Sequence, residues 1–117
     1  MALRILLVDD SKVSRLALSK ALRRLDDSII ISEAASADAA EELLKTVTVD
    51  RALIDYNMPD RNGLELAEVL LMTHPTVKQT LVTANIQDAI RDRAASLGIG
   101  FIAKPAKPEE LASVVGV

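Results

Sequence analysis

Five short apolar runs alternate with five longer segments of helical periodicity, and this alternation restricts the possible fold more than any other feature of the sequence. The apolar runs are typical of strands, and they cover residues 3–8, 28–33, 51–54, 77–83 and 101–103. Strands that alternate with helices form a parallel sheet with helices on both faces and right-handed crossovers. The sequence therefore predicts an α/β fold with the strands in its centre.

The predicted helices follow the strands one by one, at residues 12–25, 36–45, 62–72, 87–97 and 108–115. Ser36 is a candidate N-cap, and Asn62 with Glu65 three residues later resembles the start of a helix with a capping box. Pro75 ends the third helix. The fourth strand is less apolar than the others because residues 78–80 are Lys-Gln-Thr, and this small departure from the pattern weakens the expectation that the region is rigid.

Length and composition exclude several classes of protein. A chain of 117 residues indicates one domain, and the absence of cysteine excludes disulfides and thiolate metal sites. The net charge of −3 argues against nonspecific binding to nucleic acid. Neither a signal-peptide pattern nor an apolar stretch of membrane-spanning length is visible, so a cytoplasmic location without a membrane partner is expected.

Chemically distinctive residues lie at the ends of four predicted strands. Asp9 and Asp10 follow the first strand, Asp55 the third and Lys104 the fifth, while Thr83 ends the fourth. In open parallel sheets the functional crevice lies beyond the carboxyl ends of the strands. The sequence therefore predicts that three carboxylates, a hydroxyl and an ammonium group converge at one edge of the sheet.

This set of groups suits phosphoryl transfer. Two carboxylates about 4 Å apart repel each other by roughly 4 kcal/mol at an effective dielectric constant of about 20. Three of them need a cation or a proton, and Mg²⁺ prefers oxygen ligands. Lys104 adds a positive charge that can reach a phosphoryl oxygen. A carboxylate can itself form an aspartyl-phosphate, and Asp55, flanked by the other groups, is the candidate nucleophile.

Four motifs in order resemble those of the receiver domain of two-component response regulators. They are Val8-Asp9-Asp10-Ser11, Leu53-Ile54-Asp55-Tyr56-Asn57-Met58-Pro59 with Gly63 four residues later, Val82-Thr83-Ala84, and Lys104-Pro105. The likeness covers the whole chain. It implies a flavodoxin-like fold, a five-stranded parallel sheet in the order 2-1-3-4-5 with five helices.

The resemblance also implies a role for each site residue. Asp55 would accept a phosphoryl group from the phosphohistidine of a sensor histidine kinase or from a phosphotransfer protein. Asp10, Asp55 and the backbone carbonyl of Asn57 would bind Mg²⁺, with Asp9 reaching the ion through water. Lys104 would pair first with Asp55 and then with the phosphate. The chain would not be an enzyme, apart from its own phosphorylation and slow dephosphorylation.

Thr83 and Phe101 would be the switch residues of such a domain. Thr83 would bind a phosphoryl oxygen, and Phe101 would move between exposed and buried positions. The Lys104–Pro105 peptide bond is expected to be cis. The face built from the fourth helix, fifth strand and fifth helix would then change shape and control an unknown output partner or domain. A homodimer formed on phosphorylation is an open alternative, and no direct contact with nucleic acid is expected.

Simpler interpretations exist for each residue. Asp9 and Asp10 are suitable for a helix N-cap, and Asp55 for a turn. Thr83 suits any strand, and Phe101 suits any core. Because all four motifs occur in order in one chain, the functional interpretation is favoured over a separate structural role for each residue.

A basic stripe on the first helix, formed by Lys12, Arg15 and Arg23, has two interpretations. It is either a solvated face or, by the resemblance, a surface that docks a kinase.

Two other functions are alternatives to the phosphorylated switch. One is a receiver that works without phosphorylation, although every phosphorylation residue is present. The other is a Mg²⁺-dependent phosphatase of the haloacid-dehalogenase type. The phosphatase requires a second aspartate two residues after its nucleophile on the first strand, and position 11 is serine. Residues 1–117 would be a stand-alone receiver or, as we favour, the N-terminal receiver of a longer regulator.

Overall fold

A computed structural model describes residues 2–116 as five parallel strands alternating with five helices. The strands are β1 (Arg4–Val8), β2 (Ile30–Ala34), β3 (Arg51–Ile54), β4 (Lys78–Thr83) and β5 (Gly100–Ala103). The helices are α1 (Lys12–Leu25), α2 (Ala37–Leu43), α3 (Gly63–Thr73), α4 (Asp88–Ser96) and α5 (Pro108–Val115). The sheet order is β2-β1-β3-β4-β5, which confirms the predicted fold. Among these helices, none combines the length and apolar character that crossing a membrane requires.

The predicted helix starts are confirmed by hydrogen bonds at the caps. The Ser36 hydroxyl accepts from the Ala39 N–H at 3.1 Å, which caps α2. The capping box of α3 is complete: Asn62 accepts from the Glu65 N–H at 2.9 Å, and the Asn62 N–H donates to the Glu65 carboxylate at 3.0 Å. The predicted bounds of β3, α1 and α5 agree with the structure, and those of the other elements differ by at most two residues at either end, the usual uncertainty of element boundaries.

The sheet separates two apolar cores, because successive side chains of a strand point to opposite faces. On β1, Leu6 and Val8 belong to the core covered by α2, α3 and α4, whereas Ile5 and Leu7 belong to the core covered by α1 and α5. All four side chains are fully buried. The strand that carries Asp9 at its end is therefore held from both faces, which fixes the direction in which that carboxylate leaves the sheet.

The polar residues of β4 do not make it a poorly buried strand. Gln79 and Thr80 are buried, and only Lys78 is exposed. The Gln79 amide donates to the backbone carbonyl of Ala67 in α3 at 3.2 Å, so a polar side chain helps to attach the helix to the strand. Thr80 fits because its neighbour on β5 is Gly100, where an added Cβ would lie only 2.9 Å from the Thr80 hydroxyl.

Gly63 places the start of α3 directly against the end of β3. Its N–H donates to the Tyr56 carbonyl at 2.8 Å, which closes the loop between the two elements. A Cβ on Gly63 would lie 2.3 Å from the Asp55 carbonyl oxygen, far inside van der Waals contact. The absence of a side chain at this position therefore allows the loop after Asp55 to fold back on the strand.

We expect Gly63→Ala to lower the free energy of unfolding by about 3 kcal/mol, at the upper end of the cost of overpacking, because the obstructing atoms belong to the backbone. Gly98→Ala is the control, since an added Cβ there meets nothing within 4 Å and only the φ of +75° causes strain. This strain should cost about 1 kcal/mol. Urea denaturation measures both values, and an equal loss in the two variants would contradict the packing argument.

Candidate functional site

The pairing of β1 with β3 brings Asp9 and Asp55 together. Val8 pairs with Ile54, and the hydrogen-bond ladder continues one residue further, where the Asp55 N–H donates to the Val8 carbonyl at 2.8 Å. On the other side of β1, the Asp9 N–H donates to the Ala34 carbonyl at 3.0 Å. Both aspartates thus have their backbones held by the sheet, although neither belongs to a strand.

Three carboxylates lie at this edge, as the sequence predicts. Oxygen atoms of Asp9, Asp10 and Asp55 lie within 4.8 Å of one another. Asp9 is 2% exposed and Asp55 9%, whereas Asp10 is open to solvent. At this separation each pair of ionised groups repels by about 3 kcal/mol at an effective dielectric constant of about 20. The cluster therefore needs positive charge to remain ionised.

Lys104 supplies one such charge from the end of β5. Its Nζ lies 2.6 Å from Asp9 Oδ2 and 3.3 Å from Asp55 Oδ2, so one ammonium group joins the first and third strands. Burial alone would lower the pKa of Lys104, but the hydrogen bond to Asp9 and the charge of Asp55 outweigh it and raise this pKa above its ordinary value. Lys104 is therefore a charged partner of both carboxylates at neutral pH.

Asp9 is the more fully bonded of the two buried carboxylates. Burial would raise the pKa of Asp9, but hydrogen bonds from Lys104, the Ser11 N–H and the Ser14 hydroxyl lower it below the ordinary value. The Ser11 N–H donates to Asp9 Oδ1 at 2.9 Å. Asp9 is thus ionised, and both of its oxygens have protein donors.

Asp55 differs because one of its oxygens has no donor. Oδ2 faces Lys104, but Oδ1 is buried and has no hydrogen-bond partner among residues 2–116. An unpaired buried carboxylate oxygen costs free energy, so such an atom in a folded protein calls for an explanation. Its position beside two further carboxylates fits a site that takes up a hard cation, because these ions prefer oxygen ligands.

Thr83 lies at the same edge, and its hydroxyl has a local partner. Thr83 is fully buried at the end of β4, and its Oγ1 accepts from the Asn85 N–H at 3.2 Å. The Thr83 carbonyl accepts from the Lys104 N–H at 2.9 Å. The backbones of the two residues are therefore coupled, and the hydroxyl helps to shape the loop that leads into α4.

Phe101 is half-buried on β5 and carries a cation on one side of its ring. The Arg91 guanidinium lies 4.9 Å from the ring centroid, within the range of a cation–π contact. The Lys104–Pro105 peptide bond three residues later is cis. Arg91 thus connects α4 to the strand that ends in Lys104.

The loop after Asp55 is tied to α2 rather than free in solvent. Asn57 is exposed in this loop, two residues beyond Asp55. Asp60 accepts hydrogen bonds from the N–H groups of Ala37 at 3.2 Å and Asp38 at 2.8 Å, at the beginning of α2. Its neighbour Arg61 forms ion pairs with acidic side chains of α2, namely Asp38 and Glu41. The loop that would surround a bound phosphoryl group is therefore anchored at its centre.

The structure places two further residues at the site that the sequence did not identify as site residues, and both lie in the first turn of α1. The Ser14 hydroxyl lies 2.7 Å from Lys104 Nζ. Arg15 donates to the Asp9 carbonyl at 2.6 Å and to Glu33 at 2.9 Å, and only 14% of its side chain is exposed. The proposed basic stripe is therefore wrong at Arg15. Helical spacing from the aspartates does not predict these contacts, because Asp9 and Asp10 precede the N-cap Ser11 and lie outside α1.

Comparison with known proteins identifies the type of domain. The model of the response regulator receiver domain matches residues 5–116. Protein CcdB of Bacillus subtilis (strain 168) is 35% identical over 103 residues, which cover 87% of this chain and 85% of that protein. Response regulator UvrY of Escherichia coli (strain K12) is 27% identical over 112 residues, 95% of this chain but 51% of UvrY, so the chain spans about half the length of that relative.

A solved structure agrees with the fold over almost the full length. The response regulator protein TrrA from Thermotoga maritima, in complex with Mg(2+)-BeF, superimposes with a TM-score of 0.85 at 26% identity. The alignment covers 97% of this chain and 96% of that one. Its strands and helices therefore correspond to those described above.

The bonds of Asp60 predict how acid weakens the fold. The pKa of Asp60 is lowered to about 2, chiefly by the N–H of Asp38 with further donation from Arg61 and Ala37. The ordinary value is about 3.9, so the stabilisation by Asp60 is complete above pH 4 and is lost as the pH falls from about 4 to 2. Urea unfolding should show Asp60→Asn less stable than wild type at pH 7, with the difference shrinking towards pH 2.

Asp27→Asn is the control for loss of a negative charge, since Asp27 is exposed and has no side-chain hydrogen bond or ion pair within residues 2–116. A difference between Asp60→Asn and wild type that stays constant from pH 7 to pH 2 would show that these bonds do not stabilise the ionised form.

Proposed function

Because the chain belongs to the response regulator receiver domain family, whose members are phospho-accepting signalling switches, we propose that Asp55 is the residue that takes the phosphoryl group. The observation that carries this proposal is the asymmetry of its carboxylate. Oδ2 is paired with Lys104, whereas the buried Oδ1 has no partner within residues 2–116. The Asp55 carboxylate therefore keeps lone pairs that a metal ion and a phosphoryl group could share.

The donor in this proposal is the phosphohistidine of a sensor histidine kinase or of a phosphotransfer protein. Receiver domains of response regulators receive phosphoryl groups from histidine kinases. A bond forms between a carboxylate oxygen of Asp55 and phosphorus while the bond from phosphorus to the histidine nitrogen breaks, and the imidazole leaves with the electron pair. Lys104 faces this carboxylate and would neutralise charge on the transferred oxygens.

Mg²⁺ is the proposed cofactor of this site. Asp9, Asp10 and Asp55 offer oxygens within 4.8 Å of one another, and the backbone carbonyl of Asn57 would complete the protein ligands, with Asp9 acting through water. The metal would offset the repulsion among the carboxylates and the incoming phosphoryl group. The structure of TrrA in complex with Mg(2+)-BeF supports this choice of ion.

The proposed switch leads from Asp55 through Thr83 to the face of α4, β5 and α5. In the present structure the Thr83 hydroxyl accepts from Asn85 N–H, and Phe101 is half-buried under Arg91. A phosphoryl group on Asp55 would draw the Thr83 hydroxyl towards it. The loop into α4 would then move, and Phe101 would change its exposure. This is a shift between two populated states, and a binding partner would select one of them.

The proposal gives the switch an output through a binding partner or a further domain, without naming either. A receiver domain acts as a signalling switch rather than a catalyst, and relatives such as the protein-glutamate methylesterases are enzymes through a separate domain. Residues 1–117 would form one receiver unit, either alone or as the N-terminal part of a longer regulator, with slow loss of its own phosphoryl group. The α4–β5–α5 face would bind a protein partner, an output domain or a second copy. A cytoplasmic location belongs to the same proposal, since response regulators typically work there.

We expect one phosphoryl group to be added to the protein when it is incubated with a small phosphodonor and Mg²⁺, and none to be added to Asp55→Asn. Intact-mass spectrometry measures the gain. Chelation of Mg²⁺ should reduce it strongly in wild type. Asp92→Asn, on an exposed residue of α4, is the matched control and should be phosphorylated like wild type. Phosphorylation of Asp55→Asn at the wild-type level would move the acceptor to another residue.

Thr83→Ala should separate phosphorylation from the switch. The variant should bind the phosphoryl analogue beryllofluoride, because Asp55 and the carboxylates remain. Its amide chemical shifts should change near Asp55, but the changes in α4 and β5 seen in wild type should be much smaller. Thr73→Ala, on the exposed part of α3, is the control and should respond like wild type. Equal responses of α4 in all three proteins would exclude Thr83 as the connecting residue.

A further inference from the structure

The Lys104 ammonium group has three partners, of which only two are carboxylates. Its Nζ lies 2.6 Å from Asp9 Oδ2, 2.7 Å from Ser14 Oγ and 3.3 Å from Asp55 Oδ2. An ammonium group has three N–H donors, so each donor has one acceptor. The two short contacts hold the nitrogen on the side of β1 and α1, and Asp55 makes the longest of the three.

Ser14 is the only uncharged acceptor in this set, and it stands on a rigid support. It lies in the first turn of α1, and its N–H donates to the hydroxyl of the N-cap Ser11 at 3.2 Å. A serine side chain is short, so little conformational freedom is lost when it makes a fixed contact. Ser14 can therefore determine where the ammonium group lies without adding negative charge to the site.

Ser14 is also the partner of Lys104 that the reaction leaves unchanged. In the proposed function, Asp55 becomes an acyl phosphate and Asp9 takes part in binding a metal ion. Both carboxylates then alter their charge or their partners, whereas the Ser14 hydroxyl remains available to Lys104. A fixed hydrogen-bond partner of this kind contributes to catalysis by holding the charge in place before the phosphoryl group arrives.

The space beside Lys104 makes this restraint important. A cavity of about 370 Å³ lies between α1 and the segment after β5, and Ser14 and Lys104 form part of its wall. Much of the remaining wall consists of small side chains, namely Ala17, Ala21 and Ala106. Among the α1 residues of this wall, namely Ser14, Ala17, Leu18 and Ala21, only Ser14 carries a hydroxyl, and this hydroxyl accepts a hydrogen bond from the ammonium group.

We propose that Ser14 is a positioning residue for Lys104, which holds the ammonium group at the phosphorylation site through every stage of the reaction. This inference rests on the proposed function of Asp55. It assigns to α1 a direct connection with the chemistry, in addition to the packing of its apolar face against the sheet.

The test compares two variants that have nearly the same shape. Ser14→Thr keeps the hydroxyl, and Ser14→Val replaces it with a methyl group of similar size. With Mg²⁺ and the small phosphodonor both saturating, phosphorylation should be at least about tenfold slower in Ser14→Val, because the hydrogen bonds of the Ser14 hydroxyl with charged Lys104 and Asp9 are lost. The donor concentration that gives the half-maximal rate should be unchanged, and Ser14→Thr should stay close to wild type. Ser19→Val, on the same helix, controls for a β-branched residue in α1.

A second measurement needs neither metal nor phosphodonor. In ¹⁵N-labelled, metal-free protein, the ammonium signal of Lys104, assigned by its absence in Lys104→Arg, should be visible in wild type and in Ser14→Thr. Water should reach the ammonium group through the cavity in Ser14→Val, so that faster hydrogen exchange removes the signal. Urea unfolding of each variant verifies that the fold is retained.

The outcomes distinguish this inference from the function on which it rests. If wild type is phosphorylated on Asp55 and the Thr and Val variants do not differ in rate, the positioning role of Ser14 is wrong and the proposed function stands. Identical ammonium signals in the two variants would likewise exclude the hydrogen bond as the restraint. If wild type takes up no phosphoryl group from any donor, including a phosphorylated kinase, both proposals fail together.

Discussion

The contacts of Lys104 with Asp9 and Asp55 are the interaction on which the rest of the site depends. They join the end of β5 to the ends of β1 and β3, although β4 separates β5 from β3 in the sheet. Without a cation, the buried carboxylates would repel each other in a poorly solvated position. In the proposed function, the ammonium group that stabilises the cluster would also neutralise charge on the transferred phosphoryl group. Stability and the proposed chemistry would then require the same side chain in the same place.

The surroundings of this ion pair explain how a local charge can act at a distance. The Lys104 N–H donates to the Thr83 carbonyl, the Thr83 hydroxyl accepts from the Asn85 N–H, and Phe101, on the strand that Lys104 follows, contacts Arg91 of α4. On the opposite side of the site, Asp60 anchors the loop after Asp55 to α2. The two flanks of the site are thus attached in different ways. Movement on phosphorylation is expected on the Thr83 flank, because the Thr83 hydroxyl accepts from the N–H of Asn85, in the loop that leads into α4.

The amino-acid sequence was sufficient for the elements and for most of the site, but not for two of its contacts. The residues at strand ends were identifiable because the carboxyl ends of parallel strands share one edge, so Asp9, Asp55 and Lys104 had to converge once the alternation was recognised. Arg15 was assigned to an exposed basic stripe, yet it bonds the Asp9 carbonyl and Glu33. Helical periodicity reports which face a residue occupies, but a long side chain can bend from that face towards a neighbouring strand end.

The sequence by itself determined the order of strands and helices, the two-sided burial of β1 and β3, and the chemical types at the edge, because these follow from periodicity and from residues next to each other in the chain. Only the tertiary structure decided that Gln79 and Thr80 are buried, that Asp55 retains an unpaired oxygen, and that Ser14 contacts Lys104. Each of these depends on the distance between segments far apart in the chain, here 90 positions for Ser14 and Lys104. Such distances are determined by how helices pack on the sheet, and no local pattern encodes them.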